Sequence, residues 1–212
     1  MRRQTLQIGL LSLLFAFHLT FATCAFAWKP TAAGINYLDL HYSPLTPWSH
    51  VHVFKIHLEK NKFDLIHAAE LKKTFATTPE FAELSHALIT LNSGFFDLSY
   101  HPLGLRIGHK HQYTAAKPIS WWGVFYILDK KAYVSRFSQI KSPQRIDFAV
   151  QSGPRLIVNG TIPHLKPGFA ERSALGITQS GQVIILITEN TPMSTTQLAE
   201  LMRAPPLNCE QA

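Results

Sequence analysis

The segment ALGITQSGQVIILIT, residues 174–188, decides the fold of this chain. Two apolar runs, Ala174–Thr178 and Gln182–Thr188, flank the turn signal Ser180-Gly181 and predict a β-hairpin. Residues Ile184–Ile187 show no alternation of polar and apolar side chains, which is typical of a strand that is buried on both faces. The second strand of this hairpin is therefore predicted to lie in the core.

Further hairpins and two helices surround this hairpin in the sequence. Apolar runs between polar turns predict strands, and a Thr or Ser followed by a first-turn proline or a capping-box glutamine predicts a helix start. The predicted strands are Val51–Leu58, Phe63–His67, Ala87–Leu91, Trp122–Leu128, Ala132–Phe137, Phe148–Val150 and Arg155–Val158; the helices begin after Thr77 or Thr78 and after Ser194, and Trp28–Trp48 is an irregular lead-in. This pattern predicts an α+β fold, a single domain with a mostly antiparallel, hairpin-rich sheet and two main helices.

The N-terminal segment has the composition of a signal peptide. Arg2 and Arg3 form a positive n-region, residues 8–21 form an apolar segment, and Ala25-Phe26-Ala27 has the small-x-small form of a signal-peptidase site. This predicts a leader of residues 1–27, a mature domain of residues 28–212, and an exported protein that is periplasmic or secreted. The alternative is an uncleaved membrane anchor. No later segment is long and apolar enough to span a bilayer.

Charge and cysteine content favour some functions over others. The net charge is +7, but the basic residues are scattered, so nucleic-acid binding is a poor interpretation for an exported protein. Anionic envelope polymers or phosphorylated substrates fit better. Cys24 leaves with the leader, so Cys209 has no intramolecular disulfide partner in the mature chain. Burial is the expected state of Cys209, and a bond between chains is the alternative.

Two polar, glycine-containing turns are the candidate binding site. The segments Leu91–Asp97 (LNSGFFD) and Gln151–Leu156 (QSGPRL) each follow an apolar run. Glycine lets the backbone approach a ligand or take a positive φ angle, and Asn, Ser and Asp present polar groups at the end of a rigid sheet. Two such turns in one small domain predict a shared pocket.

Several short motifs occur in a fixed order along the mature chain. They are Asn92–Asp97, Pro102–Leu105, Ser152–Pro154, Arg172–Gly176, and Met193-Ser194 followed by Leu198-Ala199. Together they resemble the phosphodiester glycosidase family over nearly all of the mature chain. The resemblance implies a hydrolase that cleaves a sugar-1-phosphodiester bond, with a glycan or sugar phosphate as its small-molecule substrate and no cofactor.

The chain departs from the family pattern at two places. The family's first turn usually reads Asn-Gly-Gly-Phe-Phe, whereas Ser93 stands here in place of the first glycine. The family also continues after its final helix with a Leu-Asp-Gly-Gly-x-Ser segment, whereas this sequence ends at Cys209–Ala212. The expectation is a truncated family member that lacks a closing strand and some site residues.

Cleavage of a sugar-1-phosphodiester at the anomeric carbon assigns roles to the motif residues. The reaction needs stabilisation of an oxocarbenium-like transition state, delivery of water or a nucleophile, and a hold on the departing phosphate. Arg172 is the candidate phosphate ligand because its planar fork binds such oxygens in pairs; the alternative is a surface or ion-paired arginine. Asn92, Ser93 and Ser152 are predicted to bind substrate, or else to cap the turns. Gly94 and Gly153 are predicted to let the backbone approach the substrate, or else to have only a structural role in the turns.

Two carboxylates are candidates for catalysis. Asp97 is predicted to act as a base or to contact a sugar hydroxyl, with stabilisation of its own turn as the alternative. Glu189, at the end of the buried strand, is a candidate second carboxylate or an exposed side chain without a role.

The histidines and tryptophans have weaker functional interpretations. His50 and His52 are predicted to share one strand face, and so are His109 and His111 if that segment is extended. Because no Cys or carboxylate cluster accompanies them, no metal site is predicted. The Trp121-Trp122 pair can stack on a sugar or pack in the core.

Three functional hypotheses stay open on the sequence alone. The first is an exported phosphodiester glycosidase. The second is a non-catalytic envelope protein that binds a glycan or phosphate. The third is an inactive, truncated family member that folds poorly.

Overall fold

The computed structural model of this protein describes residues 27–40 and 48–212. The predicted signal peptide, apart from Ala27, lies outside these residues. Within them the chain forms two α-helices and thirteen strands: β1 Lys29–Ala32, β2 Ile35–Leu40, β3 His50–Ile56, α1 Thr78–Ser85, β4 Arg106–Gly108, β5 His111–Thr114, β6 Gly123–Leu128, β7 Lys131–Ser135, β8 Phe148–Ser152, β9 Phe169–Ala170, β10 Ser173–Thr178, β11 Val183–Glu189, β12 Met193–Ser194, α2 Thr195–Arg203 and β13 Cys209–Gln211. No helix among the described residues is long and apolar enough to cross a membrane.

The larger sheet has six strands in the order β1-β2-β3-β11-β10-β13, and every neighbouring pair is antiparallel. The predicted hairpin of residues 174–188 forms β10 and β11, which pair from Ser173↔Ile187 to Ile177↔Val183. On its other side β11 pairs with β3 over seven residues. The prediction of burial on both faces is confirmed, since Ile184 and Leu186 are fully buried and Ile185 nearly so.

The smaller sheet has five strands in the order β5-β4-β8-β6-β7, again antiparallel throughout. Its inner face packs on the larger sheet, where Phe125 and Phe148 join one apolar cluster with Ile56 and Ile185. Burial of side chains of this size stabilises the fold by about 1.5–3 kcal/mol each. This layer fixes the ends of β4, β6 and β8, which carry the candidate site.

Helix α2 covers the opposite face of the larger sheet. Its residues Leu198 and Met202 join a cluster with Val53 and Leu186. The predicted capping box is present: Ser194 Oγ accepts from the Gln197 N–H at 3.1 Å, and Gln197 Oε1 accepts from the Ser194 N–H at 2.9 Å. The fold is thus the predicted α+β domain, with a helix, a six-stranded sheet and a five-stranded sheet in layers.

Four sequence-based element predictions are wrong. The predicted lead-in contains β1 and β2, because Gly34 at φ +75° makes a tight turn and β2 pairs with β3. Phe63–His67 and Ala87–Leu91 form no strand; Phe63, Leu65, Ile89 and Leu91 pack on the cluster between the sheets without joining a ladder. Arg155–Val158 leaves the sheet, and the N–H groups of Leu156 and Ile157 donate to Ala212. Apolar content alone does not separate a ladder strand from an extended segment that covers the core.

Candidate functional site

The two predicted turns meet at the end of the smaller sheet. Ser152 is the last residue of β8, and Gly94 lies against it: a Cβ atom built on Gly94 would be 3.1 Å from the Gln151 carbonyl oxygen and 3.4 Å from the Ser152 Cβ. Gly94 has φ +125°, a conformation that side chains rarely adopt, so glycine is required there. The contact between residues 93–94 and residues 151–153 is called the turn junction below.

A buried arginine that the sequence reasoning missed lies beneath the turn junction. Arg106, the first residue of β4, is fully buried. Its Nε donates to Ser93 Oγ at 3.0 Å, and its Nη1 donates to the carbonyl oxygens of Leu105 and Gln151, each at 3.0 Å. The guanidinium therefore ties both turns to the sheet. Burial lowers the pKa of Arg106 to about 10, so this side chain stays charged at neutral pH.

In the described part of the chain, no carboxylate forms an ion pair with Arg106. Its Nη2 also has no hydrogen-bond acceptor there. A Cβ atom on Gly94 would lie 2.7 Å from this Nη2. A buried donor without a partner costs about 1–3 kcal/mol, and more when it is charged. The sequence signal that points to this residue is an arginine inside the apolar run Leu105–Ile107.

Aromatic rings flank the turn junction. Trp122 is buried, and its ring lies 5.1 Å from that of Phe95 and 5.9 Å from that of Trp121. A Cβ atom on Gly153 would lie 2.5 Å from Trp122 Cδ1 and 3.0 Å from Trp121, so only glycine fits between the two rings. Phe95 and Trp121 are 40% and 54% exposed, which leaves ring faces open to a ligand beside the junction.

Asp97 is engaged in its own turn. Its Oδ1 accepts from the backbone N–H groups of Ser99 at 2.8 Å and His101 at 2.9 Å, and its Oδ2 lies 3.3 Å from the His101 Nδ1. The His101 N–H is the main cause of a lowered pKa for Asp97, and the Ser99 N–H adds to it. The carboxyl group is therefore held ionised, which suits a base or a charge-stabilising group and does not suit a general acid.

Arg172 lies at the head of β10, in the larger sheet. Its Nη2 donates to the Gly168 carbonyl oxygen at 2.9 Å and its Nε to that of Met193 at 3.5 Å, while its backbone N–H donates to Thr188 Oγ1. None of these hydrogen bonds reaches the turn junction. The structure thus brings Ser93, Gly94, Ser152 and Gly153 together, and it places Arg172 with another group of partners.

Glu189 belongs to a polar cluster on the larger sheet. Its Oε2 lies 2.8 Å from His52 Nε2, and the Tyr37 hydroxyl lies 2.8 Å from His52 Nδ1. His50 pairs with Asp39 at 2.8 Å, and the two imidazole rings stack at 5.6 Å. Burial is the main cause of a raised pKa for Tyr37, with smaller effects of Asp39 and Glu189. The predicted shared face of His50 and His52 is thus occupied by carboxylate pairs.

No group of three or more His, Cys, Asp or Glu side chains in the described part of the chain is arranged to hold a metal ion. His109 instead pairs with Asp64 at 3.0 Å, and the His111 ring contacts Tyr113. A cavity of about 550 Å³ lies at the far end of β10, beside Thr178 and Cys209, and none of the predicted site residues lines it.

Comparisons with known proteins define the class of fold. The catalytic domain of zebrafish N-acetylglucosamine-1-phosphodiester alpha-N-acetylglucosaminidase, auto-inhibited by its pro-peptide, is similar with a TM-score of 0.63 at 15% identity, over 87% of this chain and 71% of that one. A hypothetical protein from Synechocystis is similar with a TM-score of 0.60 at 12% identity, over 84% of this chain and 55% of that one. At these identities the likeness is one of fold.

The family follows from the sequence comparison. The family model described as phosphodiester glycosidase matches residues 85–212, so the chain belongs to the phosphodiester glycosidase family. The uncharacterized protein YigE of Escherichia coli strain K12 is 35% identical over 113 residues, which are 48% of this chain and 44% of that protein. This chain therefore matches less than half the length of that relative.

Proposed function

We propose that this protein is an exported hydrolase that cleaves a sugar-1-phosphodiester bond at the turn junction. The observation that carries the proposal is the contact of Gly94 with Gln151 and Ser152, directly above the buried cation of Arg106. A site for this reaction needs a cation near the departing phosphate and polar groups around the sugar. The family membership of residues 85–212 supports the same reaction class.

The residues at the junction supply what the reaction asks of the protein. Asn92 and Ser152 are proposed to hydrogen-bond the substrate, and Ser93 orients Arg106 through its hydroxyl group. The exposed faces of Phe95 and Trp121 are proposed to stack on the sugar ring. A phosphate monoester is a good leaving group, so the site needs less help from a general acid than an ordinary glycosidase does.

Arg172, Asp97 and Glu189 keep their predicted roles as proposals. Two Arg172 donors are taken by backbone carbonyl oxygens, and the N–H groups of its Nη1 are proposed to bind a phosphate oxygen. Asp97, held ionised, is proposed to stabilise positive charge on the sugar or to accept a proton from water. Glu189 is the proposed second carboxylate, and its pairing with His52 fixes its direction.

The substrate class and location are proposed by analogy. The name of the zebrafish enzyme describes action on an N-acetylglucosamine-1-phosphodiester, and we extend only the sugar-1-phosphodiester class to this chain. The proposed partner is therefore a glycan or sugar-phosphate molecule of the envelope or of a host. Export to the periplasm or beyond is proposed on the basis of the signal-peptide composition of residues 1–27.

A non-catalytic binding protein is the second candidate, and the engagement of the carboxylates favours it. Both Asp97 oxygens lie against groups of the same turn, and Glu189 is paired with His52. A protein with this arrangement binds a sugar phosphate at the junction without delivering water to it. Both candidates predict saturable binding of a sugar phosphate, and only the hydrolase predicts release of free sugar.

The test compares wild-type protein with Arg172→Ala and Arg203→Ala on a panel of sugar-1-phosphodiesters. Arg203 is an exposed arginine at the end of α2 and serves as the matched control. The proposal predicts free sugar from the wild type and the control, and loss of release in Arg172→Ala. Normal release in Arg172→Ala removes Arg172 from the reaction. Saturable binding without release establishes the second candidate in place of the first.

A further inference from the structure

We propose that Arg155 and Arg136 form an anion subsite beside Ser152, at the end of the smaller sheet, and that this subsite binds a phosphoryl group of the substrate. Only the identity of the anion as part of a substrate rests on the proposed function, because binding of an anion is measured without turnover.

Gly123, the first residue of β6, makes room for the Arg155 side chain. A Cβ atom built on Gly123 would lie 2.6 Å from Arg155 Cγ and 3.2 Å from Arg155 Cδ. Gly123 is not among the glycines with a positive φ angle, so its backbone conformation alone does not require glycine. A glycine inside a strand often marks a close approach of another group, and here that group is the stem of Arg155.

Strand register places Ser152 on the same face of the sheet as the Arg155 stem. Gly123 pairs with Ser152, and the Cβ positions of such paired residues lie about 4.5–5.5 Å apart on one face. The Ser152 Cβ in turn lies 3.4 Å from the Cβ position of Gly94 in the turn junction. The stem of Arg155 is therefore one strand away from this part of the junction.

Arg136 lies at the same end of the sheet and on the same face. It directly follows β7, and its backbone is extended, with φ −71° and ψ 147°. Val134, two residues earlier and so on the same side of the strand, has its Cγ1 3.5 Å from the Cβ position of Gly123. Burial lowers the pKa of Arg155, and the charge of Arg136 lowers it further, so the two cations are neighbours.

Both arginines are accessible and lack a carboxylate partner. Arg136 is exposed and Arg155 is half-buried, and no ion pair among the described residues includes either of them. The Nε of Arg155 is buried without a hydrogen-bond partner. Its terminal Nη1 and Nη2 also make no hydrogen bond within the described residues, but they are open to solvent, where a ligand can reach them.

This arrangement suits an anion with several oxygens. Two neighbouring positive charges repel each other, and an anion bound between them removes that repulsion. The planar fork of arginine binds phosphoryl oxygens in pairs, and the half-buried Ser152 hydroxyl group can donate to the same anion. Because Gly123 already holds the Arg155 stem, little side-chain freedom is lost on binding.

A purely structural role for Arg155 explains only its stem. The packing of Cγ and Cδ on Gly123 is equally available to an uncharged side chain of similar length. The role does not explain a half-buried guanidinium group that has no acceptor, which is an unfavourable state for a charged donor.

The test is a calorimetric titration of inorganic phosphate into the full mature chain at low ionic strength. Arg155→Gln is the decisive variant, because glutamine keeps the Cγ and Cδ atoms that pack on Gly123 and removes the guanidinium. Arg136→Gln is the second variant and changes an exposed side chain. Arg145→Gln makes the same change of charge at an exposed arginine that pairs with Asp129, at the other end of β6 and β7, and is the matched control.

We expect wild type and Arg145→Gln to bind phosphate alike, and Arg155→Gln to bind about tenfold more weakly, as for the loss of a hydrogen bond to a charged group. Arg136→Gln is expected to bind with an affinity between these two. Melting curves check the fold of each variant, and Arg136→Gln decides if Arg155→Gln does not fold. Absence of phosphate binding in the wild type, an affinity that neither subsite substitution changes, or the same loss in Arg145→Gln overturns the inference.

Hydrolysis measured on the same samples separates this inference from the proposed function. Phosphate binding that depends on Arg155 and Arg136, without any release of sugar, keeps the subsite and refutes the hydrolase. Release of sugar together with phosphate binding that is indifferent to both arginines keeps the hydrolase and refutes the subsite.

Discussion

Substitution of Gly94 by alanine tests whether the turn junction depends on a bare backbone. Gly94 has φ +125°, and strain for a side chain in such a region costs about 1–3 kcal/mol. The new Cβ atom would also lie 2.7 Å from Arg106 Nη2 and 3.1 Å from the Gln151 carbonyl oxygen. Relief of these contacts requires the guanidinium to move and to weaken a charged hydrogen bond, which adds about 1.5–3 kcal/mol.

Gly181→Ala is the matched control for the backbone strain. Gly181 has φ +80° and no atom within 4 Å of its Cβ position. Alanine at this position therefore lowers the free energy of unfolding only through the strain of a left-handed backbone conformation, by about 1–2 kcal/mol. The two variants are therefore expected to differ in the free energy of unfolding by about 1.5–3 kcal/mol, or by roughly 3–12 °C in Tm for a chain of this size.

The assay is a thermal melt of both variants followed by sugar release below the lower Tm. Displacement of Arg106 by about 1 Å is expected to reduce kcat/KM in Gly94→Ala by about 100-fold, because catalytic geometry tolerates little error. Gly181→Ala keeps the wild-type rate, since its turn joins β10 and β11 far from the junction. Equal melting temperatures and equal rates in the two variants refute the role given to Gly94 and Arg106.

Three further predictions concern stability and reactivity. Ser194→Ala removes the cap of α2 and is expected to lower the free energy of unfolding by about 1 kcal/mol in denaturant titration; an unchanged midpoint contradicts the cap. Burial raises the pKa of Cys209 to about 12, so in a Cys24→Ser background a thiol reagent is expected to react only after unfolding, and rapid native-state labelling contradicts that burial. The pKa of Glu80 is lowered to about 2, chiefly by Lys73, so its stabilising effect is complete above pH 4.5 and is lost as the pH falls toward 2. Glu80→Gln should therefore flatten the dependence of Tm on pH in this range, and an unaltered dependence excludes the pairing.

The central layers of the fold follow from local patterns. The hairpin of residues 174–188 is visible because an uninterrupted apolar strand and a Ser-Gly turn leave few other structures. The start of α2 is visible because Ser194 and Gln197 have the spacing of a capping box. Strands β1 and β2 were not predicted, because their pairing depends on β3 and on a turn at Gly34, and no periodic apolar pattern in the sequence predicts that turn.

The candidate site was predictable in part for a similar reason. The turns at Gly94 and Ser152 stand out because glycine and polar residues follow apolar runs. Arg106 was missed because its partners, Ser93 and Gln151, are 13 and 45 residues away in the chain and only the fold brings them together. The pairing of Glu189 with His52 likewise depends on the register of β11 and β3, which pairs Ile187 with His52.

The most direct test of the proposed reaction is hydrolysis in ¹⁸O-labelled water. The mature chain is incubated with the methyl phosphodiester of N-acetylglucosamine-1-phosphate and related sugars, and the methyl phosphate product is analysed by mass spectrometry. Cleavage between the anomeric carbon and its oxygen adds the labelled water to the sugar. The account therefore predicts that free sugar is released and that the methyl phosphate product carries no ¹⁸O label. Labelled methyl phosphate, which reports attack at phosphorus, or no product from the folded chain with any of these substrates, contradicts it.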